Sequence, residues 1–279
     1  MNILSDVSET AIITLRARII ESQKNNPVIC DDISSICLEK IRLLLPEETH
    51  KRLLNKKLSS ALSRHIALRA RKYDFYTKEF LAKYPDGLVV SLGCGFDTRY
   101  WRVSDRAWKY VELDLPNVIE AKREILKGRM EYLTIGCSVL EDKWIRDILA
   151  IQNKNVLFLA EGLFMYLPQK EVENLFKTLS KSFSKSFIVF ETVNKKYTKG
   201  MWKKMVASKI KRSAGTKAGS SYEFGVHNAK EIESFGENIN LVEEWSYFED
   251  VDIEPKILWY FRNIRFLTRT QWTIKATIG

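Results

Sequence analysis

The spacing of hydrophobic residues along the chain changes near residue 86. Upstream, apolar residues recur at helical spacing in two long stretches, TAIITLRARIIES and LSSALSRHIALRARKYDFYTKEFLAKY. Downstream, short apolar runs alternate with helical or loop segments: LVVSL, KYVELDL, EYLTIG, VLFLA, FIVFE, LVEEWSYF and WTIKATI. The pattern predicts a helical N-terminal region over residues 1–85 and an alternating α/β region over residues 86–279.

Most of the downstream runs are apolar along their whole length. Such strands are typical of a parallel sheet covered by helices on both faces, because each strand is then buried twice. We therefore predict a doubly wound α/β domain with a mostly parallel, seven-stranded sheet. The segment LPQKEVENLFKTLSKSF predicts one covering helix, with Pro168 near its start and an apolar stripe of Val172, Leu175, Phe176, Leu179 and Phe183.

The formal charge of +10 is unevenly distributed along the chain. Between Glu191 and Glu223 there is no acidic residue, and basic residues fill the interval: Lys195, Lys196, Lys199, Lys203, Lys204, Lys209, Lys211, Arg212 and Lys217. A solvated helix face explains such a run. A basic stripe also attracts phosphate backbones, acidic lipids or anionic small molecules, so both interpretations stay open.

Other features of the composition exclude several classes of protein. No apolar run approaches the length of a membrane span, and Arg16 and Arg18 interrupt the N-terminal stretch, so neither a signal peptide nor an anchor is indicated. We expect a cytoplasmic protein. The four cysteines lack paired spacing and the three histidines lie far apart, which favours free thiols and no metal site.

The first predicted strand ends in two glycines one residue apart, in SLGCG. Gly93 and Gly95 allow close approach of backbone to a ligand, and an acid about 20 residues later, Glu112 or Asp114, completes a general nucleotide-binding pattern. The dinucleotide fingerprint requires a third glycine where this chain has Thr98, which disfavours a nicotinamide cofactor. S-adenosylmethionine, which has no phosphate, fits the remaining pattern better.

Several motifs together resemble one family. VVSLGCGFDTRYWRV, KYVELDLPNVIEAKREIL, FLAEGLFMYLPQKEV, EFGVHNAKEIESF and LVEEWSYF are similar, in this order, to segments of the leucine carboxyl methyltransferase family and its bacterial and archaeal relatives. The likeness covers about residues 10 to 250. It implies a Rossmann-like class I methyltransferase that uses S-adenosyl-L-methionine and methylates an oxygen, often that of a carboxylate.

The resemblance also implies roles for individual residues around the cofactor. Gly93 and Gly95 match the glycine turn that faces the methionine moiety. Asp114 matches the acid at the ribose, although a generic interpretation of the second strand favours Glu112. Glu161 matches a glutamate near the sulfonium, and a structural cap on the next helix is its alternative.

Arginines from the N-terminal helices are implied to clamp the methionine carboxylate, because a buried carboxylate needs a planar, bidentate donor. Arg64 matches an arginine of the leucine carboxyl methyltransferases themselves. Arg69 and Arg71 match the R-x-R motif of the related polyketide O-methyltransferases. Of these three, we expect Arg64 to bind the methionine carboxylate. Arg16 or Arg18 is a candidate for a second clamp, with a snorkelling surface arginine as the alternative.

One motif departs from the family. In IGCSVL the family commonly carries an aspartate and an apolar residue against the adenine, and the matching residues here are Ser138 and Val139. A neutral hydroxyl accepts from the adenine amino group more weakly than a carboxylate. Asp142, a turn later, is a candidate substitute.

We expect the acceptor pocket to be built by the N-terminal helices and a helical lid insert at about residues 195–235. A carboxylate acceptor is already ionised at pH 7 and needs no base, whereas a phenol needs one, for which His227 is a candidate. An anionic small molecule or polyketide-like acid is the expected acceptor. A phenol, a modified tRNA, or a nucleic-acid-binding module that uses the basic insert are the alternatives.

Overall fold

A computed structural model describes residues 6–44, 47, 53–55, 57–103, 108–214 and 221–279. In these residues the α-helices are α1 Asp6–Ser22, α2 Asp32–Leu44, α3 Ser60–Lys83, α4 Arg99–Val103, α5 Pro116–Ile125, α6 Lys143–Ile151, α7 Gln169–Ser182, α8 Gly200–Ala214 and α9 Arg265–Thr268. The strands are β1 Leu88–Leu92, β2 Tyr110–Asp114, β3 Leu133–Gly136, β4 Val156–Ala160, β5 Ser186–Val193, β6 Asn240–Trp245 and β7 Gln271–Ile278.

The strands form one seven-stranded sheet in the order β3-β2-β1-β4-β5-β7-β6. The first five strands along the chain pair in parallel, and β7 lies antiparallel between β5 and β6. Strand order reverses beside β1, where the chain passes to β2 on one side and β4 on the other. The predicted doubly wound, mostly parallel, seven-stranded sheet is confirmed, and such a sheet binds ligands at this switch point.

Alternate residues of β1 show that both faces of the sheet are covered. Val90 packs in a large apolar cluster with Ile148 of α6 and Phe176 of α7. Val89 points to the opposite face and packs with Tyr73 and Phe80 of α3. This double burial is the reason why the strands are apolar at consecutive positions.

The predicted covering helix is confirmed as α7, which begins directly after Pro168. Proline fixes a backbone angle suited to a helix start and has no N–H to leave unpaired there. The predicted apolar stripe is buried, and its members are Val172, Leu175, Phe176, Leu179 and Phe183. Each large apolar side chain stabilises the fold by about 1.5–3 kcal/mol when it leaves water.

Three described helices precede the sheet, but residues 23–31 form turns and irregular backbone between α1 and α2. The prediction that this region is all helical is therefore wrong at that connection. Apolar residues of α1, α2 and α5 form their own cluster, which joins the N-terminal helices to the sheet domain. Among the described helices, none is long and apolar enough to cross a membrane.

A 25-residue insertion, Ser246 to Thr270, separates β6 from β7 and was not predicted from the sequence. It packs on α3, where Leu68 contacts a cluster that includes Phe248 and Ile253. His65 of α3 stacks on Tyr247 at 4.1 Å between ring centroids. The insertion is therefore a covering layer of the N-terminal helices.

A buried ion pair joins α5 to β2, an inner strand of the sheet. The Lys122 ammonium of α5 donates to Oε1 of Glu112 in β2 at 2.8 Å, and neither side chain is exposed. Burial acts to lower the pKa of Lys122, but Glu112 outweighs it and raises that pKa above its ordinary value. Lys122 therefore stays charged, and the pair ties α5 to the strand beneath it.

We predict that Lys122→Met or Glu112→Gln alone lowers the free energy of unfolding by about 3–5 kcal/mol, because each leaves a buried group without its partner. The double variant recovers much of the loss, since no unpaired charge remains. Urea unfolding of the wild type, both single variants and the double variant measures the coupling. Additive losses in the double variant would contradict this account.

Candidate active site

A cavity of about 300 Å³ lies where the carboxyl ends of β1, β2 and β4 meet α1. Its lining includes the glycine turn after β1, the end of β2, the loop after β3 and the loop after β4. This is the switch point of the sheet order, where open α/β sheets bind their ligands. The cavity has the size of a small-molecule site.

The glycine turn brings backbone against the cavity in conformations that other residues rarely adopt. Gly93 has a φ of +61° and Gly95 a φ of +47°. A Cβ atom on Gly93 would lie 2.7 Å from Cδ1 of Leu163. Both positions line the cavity, as expected from the motif, and a side chain at Gly93 would clash with the loop after β4.

Asp114, the last residue of β2, lines the cavity and holds the glycine turn. One carboxylate oxygen accepts from the backbone N–H of Gly95 and the other from that of Leu115, each at 2.7 Å. Burial raises the pKa of Asp114 above its ordinary value, although both amides act in the opposite direction. Glu112 lies two residues deeper in the strand, is paired with Lys122 and does not line the cavity.

The loop after β3 forms another wall of the cavity. Ser138 and Val139 both line it. The Ser138 hydroxyl accepts from the backbone N–H of Leu140 at 3.2 Å, and the Val139 carbonyl accepts from the indole N–H of Trp144 at 3.0 Å. Asp142 is exposed and does not line the cavity, so it does not replace the aspartate that the family carries here.

The structure separates the predicted arginines. Arg69 lines the cavity and donates to Glu161 and Glu191, each at 2.9 Å. Arg64, the arginine expected first, instead binds Glu21 and Glu254 and does not line the cavity. The two arginines lie five residues apart on α3, so they face different sides of the helix.

Arg71 also lies outside the cavity, because it binds Asp250 and Asp252 of the insertion, each at 2.8 Å. Arg16 is buried against the Leu53 carbonyl. Arg18 does line the cavity, where it donates to Asp31 and to the Phe96 carbonyl, each at 2.8 Å. Arg18 and Arg69 are therefore the arginines of the cavity wall among the described residues.

Behind the cavity lies a continuous set of ion pairs, which we call the arginine–carboxylate network. Arg99 donates to Glu161 at 2.6 Å, to Asp97 at 2.5 Å and to Asp74 at 2.9 Å. Arg102 in turn joins Asp74 to Asp31. The members of the network are Arg18, Arg69, Arg99, Arg102, Asp31, Asp74, Asp97, Glu161 and Glu191.

The network fixes the charge of the carboxylates that face the cavity. Burial acts to raise the pKa of Glu161, but Arg69 and Arg99 outweigh it and hold that pKa below its ordinary value. Arg99 and Arg102 do the same for Asp97. The charged side chains that line the cavity are two arginines and three carboxylates, so the lining carries one excess negative charge.

The outer wall carries aromatic rings and belongs to the loop after β4. Tyr166 lines the cavity, and the ring of Tyr222 lies 5.8 Å from it between centroids. Phe224, from the same segment as Tyr222, is fully buried in the core. Burial raises the pKa of Tyr166 to about 12, so its phenol stays protonated at neutral pH.

His227 is exposed and does not line the cavity. Its backbone N–H donates to Glu231 at 2.7 Å at the start of a short 3₁₀ helix. The other histidine in the described part of the chain, His65, is half-buried and stacks on Tyr247. Of the predicted basic run, the side chains of Lys209, Lys211 and Arg212 and the whole of Lys217 lie outside the described residues.

Most ion pairs of the network could not be predicted from the sequence, although one signal was present. FDTRYWRV places an acid and two arginines, Asp97, Arg99 and Arg102, within six residues directly after the glycine turn. Charged residues at this spacing next to a buried turn indicate ion pairs. Their partners, Asp31 and Asp74, lie far away in the chain and carry no such signal.

A profile of the leucine carboxyl methyltransferase family matches residues 11–180, which includes α1, the glycine turn and Glu161. The chain belongs to the leucine carboxyl methyltransferase family. It is an S-adenosylmethionine-dependent methyltransferase.

Two relatives of this methyltransferase span much of its length. The tetracenomycin polyketide synthesis O-methyltransferase TcmP of Streptomyces glaucescens is 27% identical over 276 residues, which cover 96% of this chain and 94% of that protein. The S-adenosyl-L-methionine-dependent methyltransferase dpfgK of Gibberella zeae is 30% identical over 195 residues, 66% of this chain and 63% of that protein. A solved structure of magnesium protoporphyrin IX methyltransferase (ChlM) from Synechocystis PCC 6803 with bound SAM aligns at a TM-score of 0.48 with 8% identity, over 91% of this chain and all of that one.

The cavity of this methyltransferase fits its cofactor. S-adenosylmethionine carries an ammonium, a sulfonium and a carboxylate at pH 7, hence one net positive charge. The excess negative charge of the cavity lining complements it. The cavity lining offers guanidinium donors from Arg18 and Arg69 and a carboxylate acceptor from Asp114 at the end of β2.

We predict that Asp114→Asn weakens binding of S-adenosylhomocysteine by about 10–100-fold, the equivalent of one charge-assisted hydrogen bond. The side-chain amide introduced at position 114 would have only one oxygen, which can accept from the backbone N–H of either Gly95 or Leu115. Its NH₂ group would then face the other of these two N–H donors. Titration calorimetry measures the affinity, and Asp142→Asn, an exposed carboxylate outside the cavity, is the matched control. An unchanged dissociation constant for Asp114→Asn would remove this residue from the binding site.

Proposed function

We propose that this methyltransferase transfers its methyl group to the carboxylate oxygen of a small, polyketide-like acid. The name of its relative TcmP, a polyketide synthesis O-methyltransferase, supports oxygen as the acceptor atom. The observation that favours a carboxylate is that no acid or base in the described cavity lining is available to remove a proton from an acceptor. Each of its described carboxylates is already engaged.

We infer the following roles for the residues that hold the cofactor. Asp114 accepts from the ribose hydroxyls, and Ser138 and Val139 lie against the adenine. Arg69 holds the methionine carboxylate. Two of its nitrogens, Nε and Nη1, already bind Glu161 and Glu191. The third, Nη2, lies beside the cavity-lining Gly162, 3.5 Å from where a Cβ atom on that glycine would be, and this position supports the role.

The bound cofactor supplies an activated methyl group, so the protein has to position the acceptor and exclude water. Positioning alone contributes roughly 7–11 kcal/mol in the best cases. Leu163 and Tyr166, from the loop after β4, cover the glycine turn and the cavity with apolar and aromatic surface. They exclude water from the line of attack.

A phenol or alcohol acceptor would require a base, and the described cavity lining offers none that is unengaged. Glu161 is bound by Arg69 and Arg99, Asp97 by Arg99 and Arg102, and Asp114 by two backbone amides. Protonated Tyr166 cannot accept a proton. A carboxylate acceptor, with a pKa near 4, is ionised without help.

The basic segment that follows β5 favours an anionic acceptor from the outside. Lys195, Lys196, Lys199, Lys203 and Lys204 follow one another within ten residues with no acid between them. Such a field raises the local concentration of an anion near the cavity. The arginines of the described cavity lining are all paired with carboxylates. The basic segment therefore attracts the anionic acceptor while it approaches the protein, and inside the cavity the acceptor faces the sulfonium of the cofactor.

We predict that turnover changes by less than about two-fold between pH 6 and 8, since a carboxylate nucleophile is fully ionised throughout this range. His227→Ala has the same profile, because His227 is exposed and outside the cavity. Initial rates with saturating cofactor, read by mass as the gain of one methyl, measure both profiles on a panel of polyketide-like acids.

The same panel includes phenols and unmodified and modified tRNA as the alternative acceptors. A phenol has a pKa near 10, so its methylation would rise steeply with pH and would require a base. Methyl transfer to phenols but not to acids, with such a rise, would overturn the carboxylate proposal. It would leave the assignment as a methyltransferase intact.

A further inference from the structure

An unusual surface lies outside the cavity, on two segments that follow β5 and β6. On α8, the side chains of Met201 and Met205 are 81% and 52% exposed, and on the insertion Tyr260 and Phe266 are 73% and 65% exposed. Trp202 of α8 is also exposed. Large apolar side chains exposed together mark an interaction site, whereas single ones are ordinary.

One lysine joins the two segments into a single surface. The Lys196 ammonium lies 3.8 Å from the ring centroid of Phe266 and 5.8 Å from that of Trp202. The same ammonium lies 4.8 Å from the ring centroid of Tyr197, which in turn packs edge-on against Trp202. Trp202 of α8 and Phe266 of the insertion therefore lie against the same lysine. We define the cationic–apolar surface as the exposed apolar side chains of these two segments together with their exposed cations; the apolar members are Met201, Trp202, Met205, Tyr260 and Phe266.

Two long stretches of chain that contribute to this surface carry cations and no acids. No acidic residue occurs between Glu191 and Glu223, and none occurs after Glu254 to the end of the sequence. The exposed cations of these two stretches include Lys199, Lys204, Lys256 and Arg265. The combination of exposed methionine and aromatic side chains with surrounding lysine and arginine is typical of proteins that lie on a membrane surface.

We propose that the cationic–apolar surface docks this protein on the surface of an anionic lipid bilayer. The apolar side chains enter the boundary between headgroups and acyl chains, and the cations lie at the level of the anionic headgroups. A nucleic acid would use the cations but would leave Met201, Met205 and Phe266 without apolar partners. A second copy of this chain would bring equal positive charges together.

The docked face lies next to the active site. Lys203 of α8 binds Glu223 at 2.5 Å, and the adjacent Tyr222 contacts Tyr166 of the cavity wall. The backbone N–H of Glu223 donates to the Met165 carbonyl at 2.8 Å, beside Tyr166. The cavity wall and the docking helix are thus connected through the adjacent residues Tyr222 and Glu223. Docking does not depend on the nature of the methyl acceptor.

The experiment measures co-sedimentation of the full chain with vesicles of phosphatidylcholine alone and of phosphatidylcholine with phosphatidylglycerol at a ratio of about 3:1, where the surface potential attracts basic segments. We expect binding to the anionic vesicles and little to the neutral ones. The apolar variant Met201→Ser/Met205→Ser/Phe266→Ser and the charge variant Lys199→Glu/Lys204→Glu/Lys256→Glu each reduce the bound fraction at least about five-fold, because insertion and attraction both contribute.

Two matched controls separate this surface from general charge and hydrophobicity. Leu133→Ser/Ile151→Ser/Val242→Ser replaces three exposed apolar residues elsewhere, and Lys127→Glu/Lys154→Glu/Lys181→Glu replaces three exposed lysines elsewhere. Each should bind within about two-fold of the wild type, since neither alters the docked face. Thermal unfolding with S-adenosylhomocysteine verifies that every variant is folded.

Any one of four results would overturn the proposal. The wild type fails to bind anionic vesicles, or the apolar variant binds them as well as the wild type does, which would indicate only the net positive charge. Alternatively, sedimentation analysis detects a dimer that the apolar variant abolishes while vesicle binding is unchanged. Tight binding of tRNA that the charge variant abolishes, without any vesicle binding, would assign the surface to nucleic acid instead.

Discussion

The arginine–carboxylate network is the interaction on which the active site depends. Its guanidinium groups reach from α1, α3 and α4 to carboxylates at the ends of β4 and β5 and before α2. Removing one member leaves an unpaired buried charge, which costs more than an intact pair contributes. The network therefore acts chiefly by specifying one arrangement of the N-terminal helices over the strand ends, and that arrangement closes the cavity above the glycine turn.

This arrangement also sets the chemistry. Carboxylates locked by arginines keep their charge, so they balance the positive cofactor and do not serve as proton acceptors. A cavity of this kind suits an acceptor that arrives already ionised. The basic residues lie outside, on α8 and the segment before it, where they attract anions without competing with the network for its carboxylates.

Local patterns predicted what local forces determine. Seven strands, the α7 stripe and the glycine turn followed from spacing and apolar content, and the structure contains them. The choice between Glu112 and Asp114 did not follow, because alternate residues of a strand share a face and only the strand end separates them. Arg64 and Arg69 could not be separated either, since their partners lie up to 190 residues away in the chain. The insertion between β6 and β7 carries no periodic pattern, so its packing on α3 was invisible in the sequence.

The most direct test of this account is the affinity for S-adenosylhomocysteine after a change that lies in the network but outside the cavity wall. Arg99→Lys keeps the charge and loses the planar fork that joins Asp74, Asp97 and Glu161. Calorimetry should show a loss of at least about ten-fold in a folded protein, against no change for Arg71→Lys, which alters only the outer ion pairs. Full affinity in a folded Arg99→Lys protein would contradict the claim that the network shapes the cofactor site.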